Sequence, residues 1–475
     1  MRQSGRRPCR QREWYHGAAR FVSLENIQTD ECVLFYFPGV GPPHRIIDHT
    51  AAPGGRQEDM MMKHRRFAAL AMALAMAAGT LSGCSSTDGG SSTAENTGDT
   101  IVIGAIGPLT GSAADYGITA TNGLKLAVEE VNAAGGVLGK QVVVSYQDDE
   151  GDTTKSLNAY NLLMDEGAVA IWGPITSKPS ITVANKAASD GTPMMTPTGT
   201  ATAITEAGSN IFRTCFLDET QATTMADYAA DELGAATAAV LYDITDDYSL
   251  GLAEAFQAQA EADGMTVVAY ESFQNTDTDF KSQLSKIAAA DPDVLYVPAY
   301  YNTDALIAMQ ASEVGVDATL LGGDGWDGVL GALDASNYGV VEGAVFTNHF
   351  LASDSDEKVQ DFTTRYREAY GSDPSSFAAL GYDAGMMLFQ AIEAAGTTDA
   401  AAVTEALANI QYDGVTGSIH YEGSGDPVKE VKMVTVQNGA YALIGDEAAA
   451  DAESEEAPAE ESASEAEPSS EEAAA

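Results

Sequence analysis

Three short stretches of this chain join polar side chains to residues that open the backbone, and each follows an apolar run of strand-like composition. The first is Gly173-Pro174-Ile175-Thr176-Ser177-Lys178-Pro179, after Ala170-Ile171-Trp172. Pro179 suits the first turn of a helix. That puts Thr176 or Ser177 at or near its N-cap, where free N–H groups and the positive end of the helix dipole attract a carboxylate. The second is Thr196-Pro197-Thr198-Gly199-Thr200-Ala201, after Pro193-Met194-Met195, in which Thr198 and Thr200 add hydroxyl and backbone donors. The third, Gly322-Gly323-Asp324-Gly325-Trp326-Asp327, sets Asp324 where a cation can be held, between glycines that let a ligand come close to the backbone. Tyr248, and Tyr300 with Tyr301, follow other strand-like runs and supply aromatic surface. Each piece alone has a plain alternative. Ser and Thr cap helices everywhere, Gly-Asp-Gly is common in solvated turns, and tyrosines pack half-buried. Two hydroxyl loops on strand ends of one lobe shift the balance toward a carboxylate site.

The elements that must position these loops alternate in type. Strands are expected at 101–106, 142–146, 169–172, 238–242, 266–270 and 294–297, and helices at 153–166, 179–188, 221–233, 249–262, 280–289 and 303–314. Between the first two strands, Leu124, Ala127, Val128 and Val131 form an i, i+3, i+4, i+7 stripe. Gly135-Gly136 ends that helix. The βαβ order predicts an α/β fold with parallel sheets covered by helices on both faces, and ligands at the carboxyl ends of the strands. The segment 101–444 exceeds one hydrophobic core, so two lobes are expected.

The two ends read differently. Residues 1–59 are Arg-rich without a sustained apolar period and are expected to be a disordered extension upstream of the true start. Gln57-Glu58-Asp59 can be encoded by CAG GAG GAC, which contains a ribosome-binding AGGAGG. Different codons in the genomic DNA remove that support. From Met60–Met62 on, Lys63, His64, Arg65 and Arg66 precede an apolar run over 67–78. This is the layout of a secretory signal over 60–83, too short to span a bilayer. Leu81-Ser82-Gly83-Cys84 resembles a bacterial lipobox, which implies that Cys84 becomes the lipidated first residue and holds the protein at a membrane surface. Residues 84–99, rich in Ser, Gly and Thr, are expected to be a flexible linker, and 445–475 a disordered acidic tail.

The chain carries 24 Lys and Arg against 70 Asp and Glu, a formal net charge of −46. Such a surface repels nucleic acid and bare anionic lipid. Beyond Cys84 the one remaining cysteine is Cys215, in a strand-like run, and a buried inert thiol is expected there. His349 and His420 are the histidines of the folded region and lie far apart in sequence. No metal site, cofactor site or nucleophile–His–acid set emerges, so an enzyme is not expected.

Ile103-Gly104-Ala105-Ile106-Gly107-Pro108-Leu109-Thr110-Gly111, then Tyr116-Gly117 and Asn132-Ala133-Ala134-Gly135-Gly136, resemble the opening of the branched-chain amino acid-binding proteins. These are type I periplasmic binding proteins serving ABC importers. The resemblance runs on through Gly173-Pro174, Thr196-Pro197, Arg213-Thr214, Asp247-Tyr248-Ser249-Leu250-Gly251 and Gly322-Gly323-Asp324-Gly325-Trp326. It implies two Rossmann-like lobes joined by a three-segment hinge, with lobe one at 100–217 plus 347–428 and lobe two at 218–346 plus 429–444. It further implies that Ser177, Thr198 and Thr200 bind the ligand carboxylate, that Asp324 pairs its ammonium, and that Tyr116, Tyr248 and Tyr300 line the cleft. Asp324 is one methylene shorter than the family Glu, and bulky Trp326 beside it leaves the ligand's side-chain preference open. Paired cysteines of some relatives are absent. The implied protein is a monomeric, extracytoplasmic, lipid-anchored binder of an amino acid, working with an ABC permease. Amides or urea, aromatic acids and sugars are alternative ligands for the same fold, and a sensor module is a further alternative.

Overall fold

The computed structural model describes residues 13–16, 19–22 and 100–445. The expected signal, Cys84, the linker and the acidic tail beyond 445 lie outside the described residues. Within the leader, β1 (Glu13–His16) pairs antiparallel with β2 (Ala19–Val22), in a stretch where no element was expected.

The remaining chain builds two sheets. In the first lobe, β3 (Thr100–Gly107), α1 (Ala114–Ala133), β4 (Gln141–Asp148), α2 (Thr153–Asp165), β5 (Ala170–Trp172), α3 (Ser177–Asp190), β6 (Met194–Thr196) and β7 (Ile211–Arg213) follow one another. The strands are all parallel, in the order β4-β3-β5-β6-β7. The second lobe repeats the plan with α4 (Asp218–Asp231), β8 (Thr237–Asp243), α5 (Asp247–Ala262), β9 (Thr266–Phe273), α6 (Lys281–Ala290), β10 (Val294–Tyr296), α7 (Tyr301–Val314), β11 (Thr319–Gly322) and β12 (Val345–Asn348). Its parallel strands run β9-β8-β10-β11-β12, the same 2-1-3-4-5 order. In both lobes the order reverses beside the first strand. There the loops leaving neighbouring strands part in opposite directions and open a crevice at the strands' carboxyl ends.

The chain then returns to the first lobe for α8 (Glu357–Tyr370), α9 (Ser376–Ala395), α10 (Ala400–Ala408) and a small sheet of β13 (Gln411–Gly414), β14 (Gly417–Tyr421) and β15 (Pro427–Val428). It ends in the second, where β16 (Lys432–Gln437) and β17 (Ala440–Leu443) extend the sheet antiparallel to β12. Strands β5, β6 and β10 are buried along their whole length, as parallel strands covered on both faces must be. Helices α1 and α9 meet backbone to backbone. A Cβ on Gly123 would stand 1.9 Å from Ala378 O, and one on Gly381 2.2 Å from Ala120 O, so both positions require glycine for space.

The lobes are joined by three segments, 214–217, 349–356 and 429–431. The expected crossing between residues 346 and 347 falls inside β12, because that strand keeps pairing with β16 as far as Asn348↔Lys432. The crossings are tied to one another. Lys429 Nζ donates to Thr214 O at 3.1 Å and to Thr416 Oγ1 at 2.5 Å, and Lys432 Nζ pairs with Asp354 Oδ2 at 2.6 Å.

Candidate functional site

The seven residues singled out in the sequence come together. Tyr116, Ser177, Thr198, Thr200, Tyr248, Tyr300 and Asp324 all line one cavity between the lobes, joined by Ile175, Thr176, Gly325 and Phe377. The space is tight, about 10 Å³, room for a single water. Anything larger enters only as the lobes draw apart.

The first lobe contributes donors. Thr176 is the N-cap of α3 in extended conformation without a side-chain cap bond, so Ser177 is the first helical residue. The first-turn N–H groups have no intrahelical acceptor and face the same end as the helix dipole. The 196–201 loop is pinned from below by Arg213, a fully buried guanidinium. Its Nη1 donates to Gly199 O and its Nη2 to Ala201 O, each at 2.8 Å. Its Nε stands 2.8 Å from Asp426 Oδ1, an ion pair too bent to count as a hydrogen bond. Thr198 Oγ1 donates to Ile175 O at 2.7 Å, which ties the two hydroxyl loops together. A hydroxyl has one proton to give. Thr198 therefore offers a ligand its main chain and its lone pairs, not its O–H.

The second lobe contributes the acid. Asp324 begins a short 3-10 turn after β11 and is only 3 % exposed. Its Oδ1 accepts from Tyr248 Oη at 2.9 Å and from Gln221 Nε2 at 3.1 Å. Its Oδ2 lies 3.4 Å from His349 Nε2. Gln221 Oε1 in return accepts from Asp324 N at 3.0 Å and Thr347 Oγ1 at 2.7 Å. Burial pushes His349 down to about 4, so the ring is neutral at pH 7. It stacks on Phe216 with centroids 3.6 Å apart. Among the described residues Asp324 thus faces neutral donors and no cation, which suits a carboxylate kept for an incoming positive charge.

A second carboxyl, Asp218, opens α4. Burial raises it to about 8, against hydrogen bonds from Thr200 and Gln221 and with the Asp324 charge pushing the same way as burial. At neutral pH it holds its proton.

The aromatics form the walls between these ends. Asp246 caps α5 by accepting from Tyr248 N at 2.9 Å, which fixes where that ring emerges. Tyr248 stacks on Tyr300 at 5.1 Å, and Tyr116 on Phe377 at 4.0 Å. Burial lifts the phenols of Tyr116, Tyr248 and Tyr300 well above 10, so all three stay neutral. Tyr116 also bridges the lobes: its Oη donates to Gly325 O and accepts from Tyr301 N at 2.9 Å. Asn302 Nδ2 donates to Ser112 O, and Lys178 Nζ to Thr245 O, so the lobes are closed on each other.

Trp326, which in the sequence left the ligand's side-chain preference open, does not line the cavity. Its side chain turns into the second lobe's core, fully buried, and its indole N–H donates to Val297 O at 2.8 Å. Cys215 is buried, and its thiol is pushed up to about 12. Gln221, Thr347, His349, Asp218 and Phe377 were not singled out in the sequence. One signal was available: Asp218 and Gln221 are an i, i+3 polar pair on the first turn of a helix whose inward stripe is otherwise Ala222, Met225, Ala226 and Ala229.

Against this geometry, a family model described as periplasmic binding protein matches residues 100–440. The chain belongs to the periplasmic binding protein family. A Leu/Ile/Val-binding protein of Rhizobium johnstonii is 34 % identical over 334 residues, covering 69 % of this chain and 88 % of the relative. A branched-chain amino acid transporter substrate-binding protein of Streptococcus pneumoniae, solved in complex with isoleucine, superposes with a TM-score of 0.68. It is 31 % identical and covers 73 % of this chain and 99 % of its own. A leucine-binding protein of Thermotoga maritima gives a TM-score of 0.67 at 33 % identity, over 72 % of this chain and 97 % of its own. These periplasmic binding proteins share the two-lobed α/β fold described above.

Proposed function

We propose that this protein is the extracytoplasmic solute-binding component of an ABC importer, and that it encloses a branched-chain or other hydrophobic L-amino acid between its lobes. The observation that carries the reading is the division of the cleft: hydroxyls and helix-terminal N–H groups on the first lobe face a buried, cation-free Asp324 on the second. A zwitterion needs charge-assisted partners at both ends to offset its desolvation. Ser177, Thr198 and Thr200 take the carboxylate, through peptide N–H groups and the Ser177 hydroxyl. Asp324 takes the ammonium, and Thr200 Oγ1 lends it a lone pair. Tyr116, Tyr248, Tyr300 and Phe377 bound the ligand's side chain. With the partners on different lobes, a bound ligand favours closure. The names of the relatives, which bind leucine, isoleucine and valine, support this ligand class. In this reading the protein acts as a monomer, tethered through a lipidated Cys84, and the closed form is what the permease recognises.

The test is thermal unfolding of the purified protein against L-amino acids, amides and urea, aromatic acids and sugars. A ligand that binds only the folded state adds about 2.7 kcal/mol at a hundredfold excess over its Kd. A raised midpoint with leucine, isoleucine or valine is the expected outcome. A rise with sugars, benzoates or urea alone would keep the transport role and overturn the assignment of Asp324.

A further inference from the structure

Asp324 has a companion on its own turn. Asp327 follows the Asp324–Trp326 turn, and its N–H donates to Asp324 O at 3.1 Å. The two carboxylates diverge. Asp324 faces the cavity, whereas Asp327 reaches out of the second lobe: its Oδ2 accepts from Ser376 N at 2.8 Å. Ser376 is the first residue of α9 in the first lobe, and the next residue, Phe377, lines the cavity. The capping hydroxyl of Ser375 is engaged with Ala378 N at 3.4 Å, which leaves the Ser376 N–H to Asp327. Asp327 is 7 % exposed, and it stands at the positive end of a 20-residue helix.

The turn that carries both acids is stiff, because the buried Trp326 indole is held by Val297 O. A cation that fixes Asp324 against the first lobe therefore also seats Asp327 on α9. We propose that Asp327 is the interlobe latch of the ligand-bound state. It is a positioning residue that touches no ligand and converts occupation of the cleft into closure. The inference rests on the ligand-binding reading above. By reciprocity, whatever the latch adds to closure it adds to ligand affinity.

The experiment compares wild type with Asp327→Ala and Asp327→Asn, all as the full chain. L-leucine, L-isoleucine and L-valine are titrated calorimetrically, release is followed by stopped flow, and amide exchange is followed at Ser376 and Phe377. The latch predicts about tenfold weaker binding in Asp327→Ala, carried mainly by faster release. Asp327→Asn falls between, since its amide oxygen still accepts from Ser376 N without the charge. The ligand-free melting midpoint stays at the wild-type value. Unchanged affinity with a lowered ligand-free midpoint would mark Asp327 as a packing residue and overturn the latch. Wild type that binds none of the three amino acids would sink the ligand reading instead. The latch is then judged with whichever of the amides, urea, aromatic acids or sugars raises the wild-type midpoint: faster exchange at Ser376 in Asp327→Ala than in wild type, both saturated with that compound, upholds it, and equal exchange overturns it.

Discussion

Replacing Asp324 by Ala removes the one carboxylate that, among the described residues, lines the cleft and that is proposed to meet the ligand ammonium. It leaves Tyr248 Oη, Gln221 Nε2 and His349 Nε2 without their shared acceptor. Losing a charge-assisted hydrogen bond costs about 1.5–3 kcal/mol, and stranding a buried charge about 3–5 kcal/mol. Two features reduce the total. In the proposed pose Thr200 Oγ1 remains near the ammonium, and the Asp218 carboxyl loses one of the charges that keep it protonated, so it ionises more readily. The net loss is about 2–4 kcal/mol, roughly 30- to 700-fold in Kd at about 1.4 kcal/mol per decade. Calorimetric titration at pH 7 with the amino acid that most raises the wild-type midpoint reads this directly. Asp324→Asn, which keeps an oxygen for Tyr248 and Gln221, controls for collapse of the pocket. It should fold like wild type and still bind at least tenfold more weakly, because its amide N–H₂ faces the ammonium. Wild-type affinity in a well-folded Asp324→Ala would refute the charge pairing.

Asp218 gives a pH-dependent prediction. Its carboxyl ionises near 3.8 when unfolded and is held up at about 8 when folded. Between those values the folded chain carries a proton that the unfolded chain lacks. The wild type therefore loses stability with rising pH, and Asp218→Asn does not share that loss. The gap should widen in favour of Asp218→Asn by about 1.4 kcal/mol per pH unit, giving roughly 3 kcal/mol between pH 5 and pH 7. Arg213, Thr200, Gln221 and Asp324 face the group in both proteins, and parallel ligand-free denaturation curves would contradict the assignment. Gly325→Ala tests the stiffness of the acidic turn. The new Cβ would meet Ala299 O at 2.3 Å and Tyr248 Oη at 2.8 Å, so the turn must shift. A lowered melting midpoint and at least tenfold weaker ligand binding are expected, and calorimetry with retained affinity would show that the turn adapts freely.

What the sequence made legible follows from local chemistry. Ser177, Thr198 and Thr200 leave the ends of adjacent parallel strands, and the βαβ order alone puts such loops side by side. Asp324 announced itself through its glycines. Tyr116 was reachable only by resemblance, since nothing in its own neighbourhood separates it from a packed helical tyrosine. The cradle of Asp324 was not legible. Gln221 stands 103 positions away and His349 25, on elements that converge only when β11, β12 and α4 have packed. The direction of Trp326, which the sequence left open, follows from the turn: on a 3-10 turn consecutive side chains point about 120° apart, which sends it down under Gly322 while Asp324 faces out.

The cross-tied crossings between the lobes set the character of their motion. A single connecting strand would let one lobe tilt, roll and twist against the other. Three strands tied by Lys429 and Lys432 resist torsion, because twisting would pull the lysines from Thr214 and Asp354. If the cleft opens to admit a ligand, as proposed, these ties favour a swing about the line of the three crossings, like a book bound along its spine, with the same two pages meeting at each closing.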